Sequence, residues 1–230
     1  MLRYITACFL ALLTLSINTE AAQQEYHILI TGCARSGTTY ISQVLQKCGI
    51  DVLHEKMGSL GTVNWIMAVP ADYTPAAYDF THCCVPGLNQ YKFKHIFHQV
   101  RDPLKSISSL AVDMTSTWNF IGGYIQEVDV AHPTLINAAR YWYYWNLHAE
   151  KIAEWTYRIE DIDNLWGEFC KRIEFKLDKN NLKRVPRNTN TGRVTKRITW
   201  VDLKRILEPE LYQKIVKMAK RYGYPVTDKG

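Results

Sequence analysis

YHILITGCARSGTTYISQVLQKC, residues 26–48, reads as a buried strand, a loop and the helix that follows it. Residues 26–30 are a short apolar run rich in β-favouring side chains. The run leads to Gly32, where the backbone can turn with no Cβ penalty. From Thr38 onward the apolar positions are Tyr40, Ile41, Val44, Leu45 and Cys48, one face of a helix, and Gly49 suits a left-handed helix end. Between strand and helix lies Gly32-Cys33-Ala34-Arg35-Ser36-Gly37-Thr38-Thr39. A loop of this kind aims main-chain N–H groups and the positive end of a helix dipole at one spot, and that spot attracts an anion.

FKHIFHQVRDPLKSISSL, residues 93–110, repeats the order of strand, turn and helix. Residues 93–100 form the strand, Arg101 closes it, and Pro103 suits the first turn of a helix running through Ile107 and Leu110. The spacing from Arg101 to Ser109 lets a guanidinium at the strand tip and a hydroxyl two helical turns on converge on one phosphate. Between the two stretches, an extended piece at 51–53 runs into His54-Glu55-Lys56. Residues past the carboxyl end of a strand line the same crevice as the loop in an open α/β sheet, so these three ionisable groups are site candidates. An exposed polar loop is the plainer account of them. Thr81-His82 is an isolated further candidate.

The spacing of Gly32 and Gly37 fits the nucleoside triphosphatase pattern GxxxxGK[ST], but Thr38 stands where that pattern has lysine. The cation is Arg35, inside the loop. Asp102 as a metal-holding carboxylate after the second strand is a competing reading, opposed by Arg101 beside it and by the missing lysine. At Arg35-Ser36-Gly37-Thr38-Thr39 the chain resembles the phosphosulfate loop of the sulfotransferases, roughly [K/R]-S-G-T-T after a buried strand. Arg101 and Ser109 resemble that family's 3′-phosphate site, and Tyr157 to Asp161 its Y-x-x-E-D segment, whose Glu160 or Asp161 orients loop groups or caps a helix. The late basic segment 177–198 has Arg193 near Gly192, similar to the loop that folds over the nucleotide in that family.

The resemblance covers most of residues 26–224. It implies an α/β P-loop fold, a parallel sheet flanked by helices, with 3′-phosphoadenosine 5′-phosphosulfate (PAPS) as cosubstrate and a hydroxyl-bearing, anionic or neutral acceptor. Nucleotide contacts would come from Gly32, Arg35, Ser36, Gly37, Thr38, Thr39, Arg101, Ser109 and Arg193. Arg35 would also act in transfer, with the base drawn from Glu55, His54 and His82. Glu55 is preferred, because glycan and tyrosyl-protein sulfotransferases carry a glutamate at a similar distance after the loop cation. Arginine rather than lysine in the loop resembles the Golgi-type carbohydrate and tyrosyl-protein branch. A P-loop nucleotide kinase needing magnesium and a non-catalytic nucleotide- or anion-binding protein are the alternatives.

Composition bounds these readings without choosing among them. The chain has 230 residues, 47% hydrophobic and 22% charged, an ordinary globular balance that suits one domain over 23–230. A net charge of +6 favours anionic partners in general, and specific nucleic-acid binding is not expected. Arg3 followed by a mostly apolar stretch to Ile17 and small residues near Ala21 reads as a secretory signal peptide over 1–22 or a short signal anchor. The first implies a lumenal location, the second membrane attachment, and a wrongly assigned start a cytoplasmic protein. The six cysteines show no spacing with histidine that would hold zinc, and no metal is expected. Helices are expected from Pro133 through a stripe ending at Trp155, over 163–173, and over 200–207 and 209–222, with a short one near 64–68.

Overall fold

A computed structural model describes residues 24–68, 91–113, 117–129, 131–132, 134–189 and 197–227. The leader expected at 1–22 lies outside them. Five strands, β1 (Glu25–Thr31), β2 (Val52–His54), β3 (Gly61–Val63), β4 (Lys92–Val100) and β5 (Trp155–Arg158), form one sheet in the order β2-β3-β1-β4-β5, with every neighbouring pair parallel. The helices are α1 (Thr38–Lys47), α2 (Pro103–Asp113), α3 (Trp118–Gly122), α4 (Thr134–Ile152), α5 (Ile162–Arg172), α6 (Trp200–Ile206) and α7 (Pro209–Arg221). No helix among the described residues is long and apolar enough to cross a membrane.

Parallel strands covered on both faces must be apolar on both, and β1 meets that demand. Ile28 and Ile30 pack with Tyr40, Ile41, Val44 and Leu45 of α1, while Leu29 points the other way, against Met67 and Phe93. The same alternation in β4 sends Phe97 to Phe169 of α5 and its neighbour His98 to Asn146 of α4. Full burial of such a side chain stabilises by about 1.5–3 kcal/mol. The loop leaving β1 is therefore carried on the best-anchored strand of the sheet.

The helices after β1 and β4 take opposite faces. α1 joins the cluster of Ile28 and Phe97, whereas Ile107 and Leu110 of α2 join the cluster built on Tyr141, Trp142 and Trp145 of α4. Adjacent strands whose helices diverge leave a crevice at their carboxyl ends. Gly32 lets the chain enter it: at φ 151° it lies so close to β4 that a Cβ would stand 2.3 Å from the Gln99 carbonyl oxygen.

Several elements differ from the sequence expectations, among them α3, for which the sequence reading has no helix. Trp155 begins β5 instead of closing the helical stripe, because α4 stops at Ile152 and Glu154 N bonds the Ile96 carbonyl to start the new strand. β3 was not anticipated, since three residues carry no periodicity and Gly61 is there for close packing: its Cβ would fall 1.8 Å from the Ile28 carbonyl oxygen. The short turn near 64–68 is a 3₁₀ helix over Ile66–Ala68, and further ones span Ile159–Asp161 after β5 and Lys179–Arg184 within the basic segment.

Candidate functional site

The loop between β1 and α1 is held by partners from α2, β4, α4 and the turn after β4. Arg35 adopts φ 67°, a left-handed conformation uncommon for a non-glycine residue, and Gly37 at φ 91° opens α1. Arg35 Nε donates to Ser109 Oγ of α2 at 2.8 Å, and Arg101 Nη1 donates to the Arg35 carbonyl at 3.1 Å. Gln99 Nε2 donates to the Ser36 carbonyl at 2.8 Å and is itself oriented by Tyr157 OH, which donates to Gln99 Oε1 at 2.7 Å. The N–H of Ala34 goes to Tyr141 OH and that of Ser36 to the Cys33 carbonyl, so those two are spent inside the protein. An incoming anion therefore meets side-chain donors and the first turn of α1, whose N–H groups have no intrahelical carbonyl. Ser36 Oγ is buried and has no hydrogen-bond partner among the described residues.

His54 ends β2 and Glu55 follows it at φ 57°, the second left-handed non-glycine residue of the site. His54 Nε2 lies 3.0 Å from Thr38 Oγ1 and 3.3 Å from Thr39 Oγ1, so the histidine serves the two hydroxyls that open α1. Burial pulls its imidazole below the ordinary value; Glu55 acts against that fall and Arg35 adds to it. A neutral ring suits bonding to hydroxyls. Glu55 Oε1 accepts from Trp65 Nε1 at 2.7 Å and stands 3.7 Å from His54 Nε2. Trp65 is in turn packed against Tyr141 and Trp145 of α4, which ties the carboxylate to the helical layer.

Arg35, Thr38, Thr39, His54, Glu55 and Arg101 line one cleft of about 110 Å³. At Gly37, Arg101 and Thr189 it continues into a groove of about 340 Å³ that also holds Lys105, Glu160 and Arg187. Burial lowers Arg101 from the ordinary guanidinium value, with Glu160 opposing and the nearby Arg35 reinforcing. Glu160 is already engaged, accepting from the Asp102 N–H at 3.0 Å and from Tyr224 OH at 2.9 Å. Two like charges sharing a partly buried cleft are relieved by an anion between them.

The fold thus gathers Gly37, Thr38, Thr39, Arg35, Arg101, His54 and Glu55 around one space. Ser109 is buried and accepts from Arg35 Nε, while Arg35 itself lines the cleft. His82 and Arg193 lie outside the described residues. Trp65, Gln99 and Arg187 were not foreseen. Arg187, in the basic segment, stacks 4.7 Å over the Tyr40 ring and pairs with Asp163. The basic run signalled its charge, but nothing local signalled its aromatic partner in α1. Compared with known protein families and with curated proteins, the chain matches none.

Proposed function

We propose that the chain is a sulfotransferase that moves a sulfuryl group from PAPS to an acceptor hydroxyl, on a P-loop type of α/β fold. The observation that carries this reading is the convergence of Arg35 and Arg101 on one cleft whose lining also holds the Glu55 carboxylate. The residues suit such a nucleotide: two neighbouring guanidiniums, the orphaned Ser36 hydroxyl and the start of α1 offer cations and donors, and the adjoining groove extends the space past Arg101. When bound, PAPS supplies the sulfuryl group, whose S–O bond to the 5′-phosphate breaks as the acceptor oxygen forms a new S–O bond.

Protein groups do the rest by position and charge. Arg35 and the first turn of α1 face the negative charge that grows on the bridging oxygen. Arg101 binds the 3′-phosphate. Glu55 takes the proton of the attacking hydroxyl, held by Trp65 for that purpose, while His54 is occupied by Thr38 and Thr39. A glycan, tyrosyl peptide or small alcohol is the acceptor class. Residues 1–22 act as a secretory leader in this reading and deliver the protein to a Golgi-type lumen; N-terminal sequencing of the secreted chain, expected to begin near Ala22, tests that part.

The direct test compares 3′-phosphoadenosine 5′-phosphate with its analogue lacking the 3′-phosphate, in the absence of magnesium, and follows labelled sulfuryl transfer to the three acceptor classes. Tight, magnesium-independent binding that needs the 3′-phosphate is expected, together with transfer. Equal binding of the two nucleotides, or a magnesium requirement with ATP, overturns the reading.

A further inference from the structure

A second cluster of ligating side chains lies at the opposite end of the sheet, near the amino ends of β1 and β4. His27 of β1 and His95 of β4 are cross-strand neighbours with ring centroids 5.3 Å apart, and Glu174 follows α5 at φ 60°. Each of the three offers one ligating atom, and these atoms all lie within 4.8 Å of one another.

The hydrogen bonds around the cluster occupy one nitrogen of each histidine and leave the other for a ligand. His27 Nε2 is 2.7 Å from the Ile173 carbonyl oxygen, which can only accept, so Nε2 carries the proton and Nδ1 the lone pair. His95 Nδ1 is 3.0 Å from Glu154 Oε1 and donates to it, which leaves the lone pair on Nε2. That Nε2 is buried, has no hydrogen-bond partner among the described residues, and faces Glu174 Oε1 at 3.8 Å. With His95 neutral, its Nε2 lone pair faces a carboxylate oxygen, and a cation between them satisfies both. An imidazole whose other nitrogen donates to a carboxylate or main-chain carbonyl is the arrangement metal-binding histidines adopt.

The geometry points to a zinc-type divalent ion held by His27, His95 and Glu174. Two imidazoles and one carboxylate suit zinc, with water completing a tetrahedron. Bonds of about 2.0–2.1 Å put ligand atoms about 3.3 Å apart around a tetrahedral ion, so the 3.8 Å gap closes with a small movement of the exposed Glu174 side chain. Its other oxygen, Oε2, stays with Lys94. The ion would tie β1, β4 and the chain after α5 together, a role separate from the loop at the carboxyl ends of the strands. Sequence separation hid the cluster, since its members stand at 27, 95 and 174 with no local spacing pattern.

Protein stripped with chelator and dialysed is titrated with Zn²⁺, and with Co²⁺ as a coloured substitute, while thermal unfolding is followed. One equivalent should bind, Tm should rise by roughly 5–10 °C at a hundredfold excess over Kd, and Co²⁺ should give visible bands without thiolate charge transfer. His95→Gln should abolish this, and Glu154→Gln, which removes only the partner that orients His95, should weaken affinity about 10–100-fold while keeping the Co²⁺ spectrum. Absence of binding to the parent protein, undiminished affinity in His95→Gln, or a thiolate band revealing a cysteine site each overturns the proposal.

Discussion

Arg35 and Ser109 are 74 residues apart in the chain, and Arg35 Nε donates to Ser109 Oγ at 2.8 Å. The Ser109 hydroxyl thus holds the loop cation, and Arg101 holds the same residue through its carbonyl. The two side chains brace the left-handed turn at Arg35, a conformation that costs on the order of 1–3 kcal/mol and persists only when neighbours enforce it.

Arg101→Ala should weaken binding of 3′-phosphoadenosine 5′-phosphate by about 1.5–3 kcal/mol, the range for hydrogen bonds to charged groups. Ser109→Ala should cost less and should not add to Arg35→Ala, because both disturb one unit. Calorimetry on the two single variants and the double variant checks this; full additivity of Ser109 and Arg35 would show that their bond has no bearing on the nucleotide.

Glu55→Gln should lower turnover about 10²- to 10⁴-fold and leave nucleotide affinity nearly intact, since a positioned base acts on the acceptor proton. Trp65→Phe keeps an aromatic side chain, though a smaller one, and removes the N–H that Glu55 Oε1 accepts from, so its loss should be smaller and again in turnover. Parallel assays of His54→Ala and His82→Ala complete the set. Near-normal turnover in Glu55→Gln beside collapse in a histidine variant would move the role to that histidine.

Gly32→Ala should destabilise the fold by about 2–3 kcal/mol, because a Cβ at φ 151° would stand 2.3 Å from a main-chain oxygen of β4. Gly49→Ala, also at positive φ but with open space around the new atom, should cost less. Urea unfolding of both variants separates collision from backbone preference.

His98 is fully buried between Asn146 and Thr156, and burial pushes its pKa down to about 4. The unfolded imidazole titrates near 6.5. Below about pH 6.5 the unfolded chain takes up a proton that the folded one refuses, so this contribution is fully present above that pH and is lost as pH falls towards 4. The loss amounts to about 3 kcal/mol across the window. His54, lowered in the same sense, adds to the slope, so the informative quantity is the difference in urea stability between the parent and His98→Gln at pH 7.5 and pH 4.5. Parallel curves for the two proteins would show that His98 does not drive the loss.

Local pattern was enough to read β1, α1, β4, α2, α5 and α7, because each is long enough for its burial period to show and is punctuated by residues such as Gly49, Pro103, Pro209 and Gly223. The loop composition around Arg35 likewise points to an anion. Tertiary structure alone decided what had no local period: the three-residue β3 between β2 and β1, the Trp65 N–H on Glu55, the contact of His54 with the threonine hydroxyls, and the contact of Ser109 with Arg35. Each of these depends on which elements become neighbours in the sheet and its helical layers, and that choice is made by packing across the whole core rather than by residue spacing along the chain.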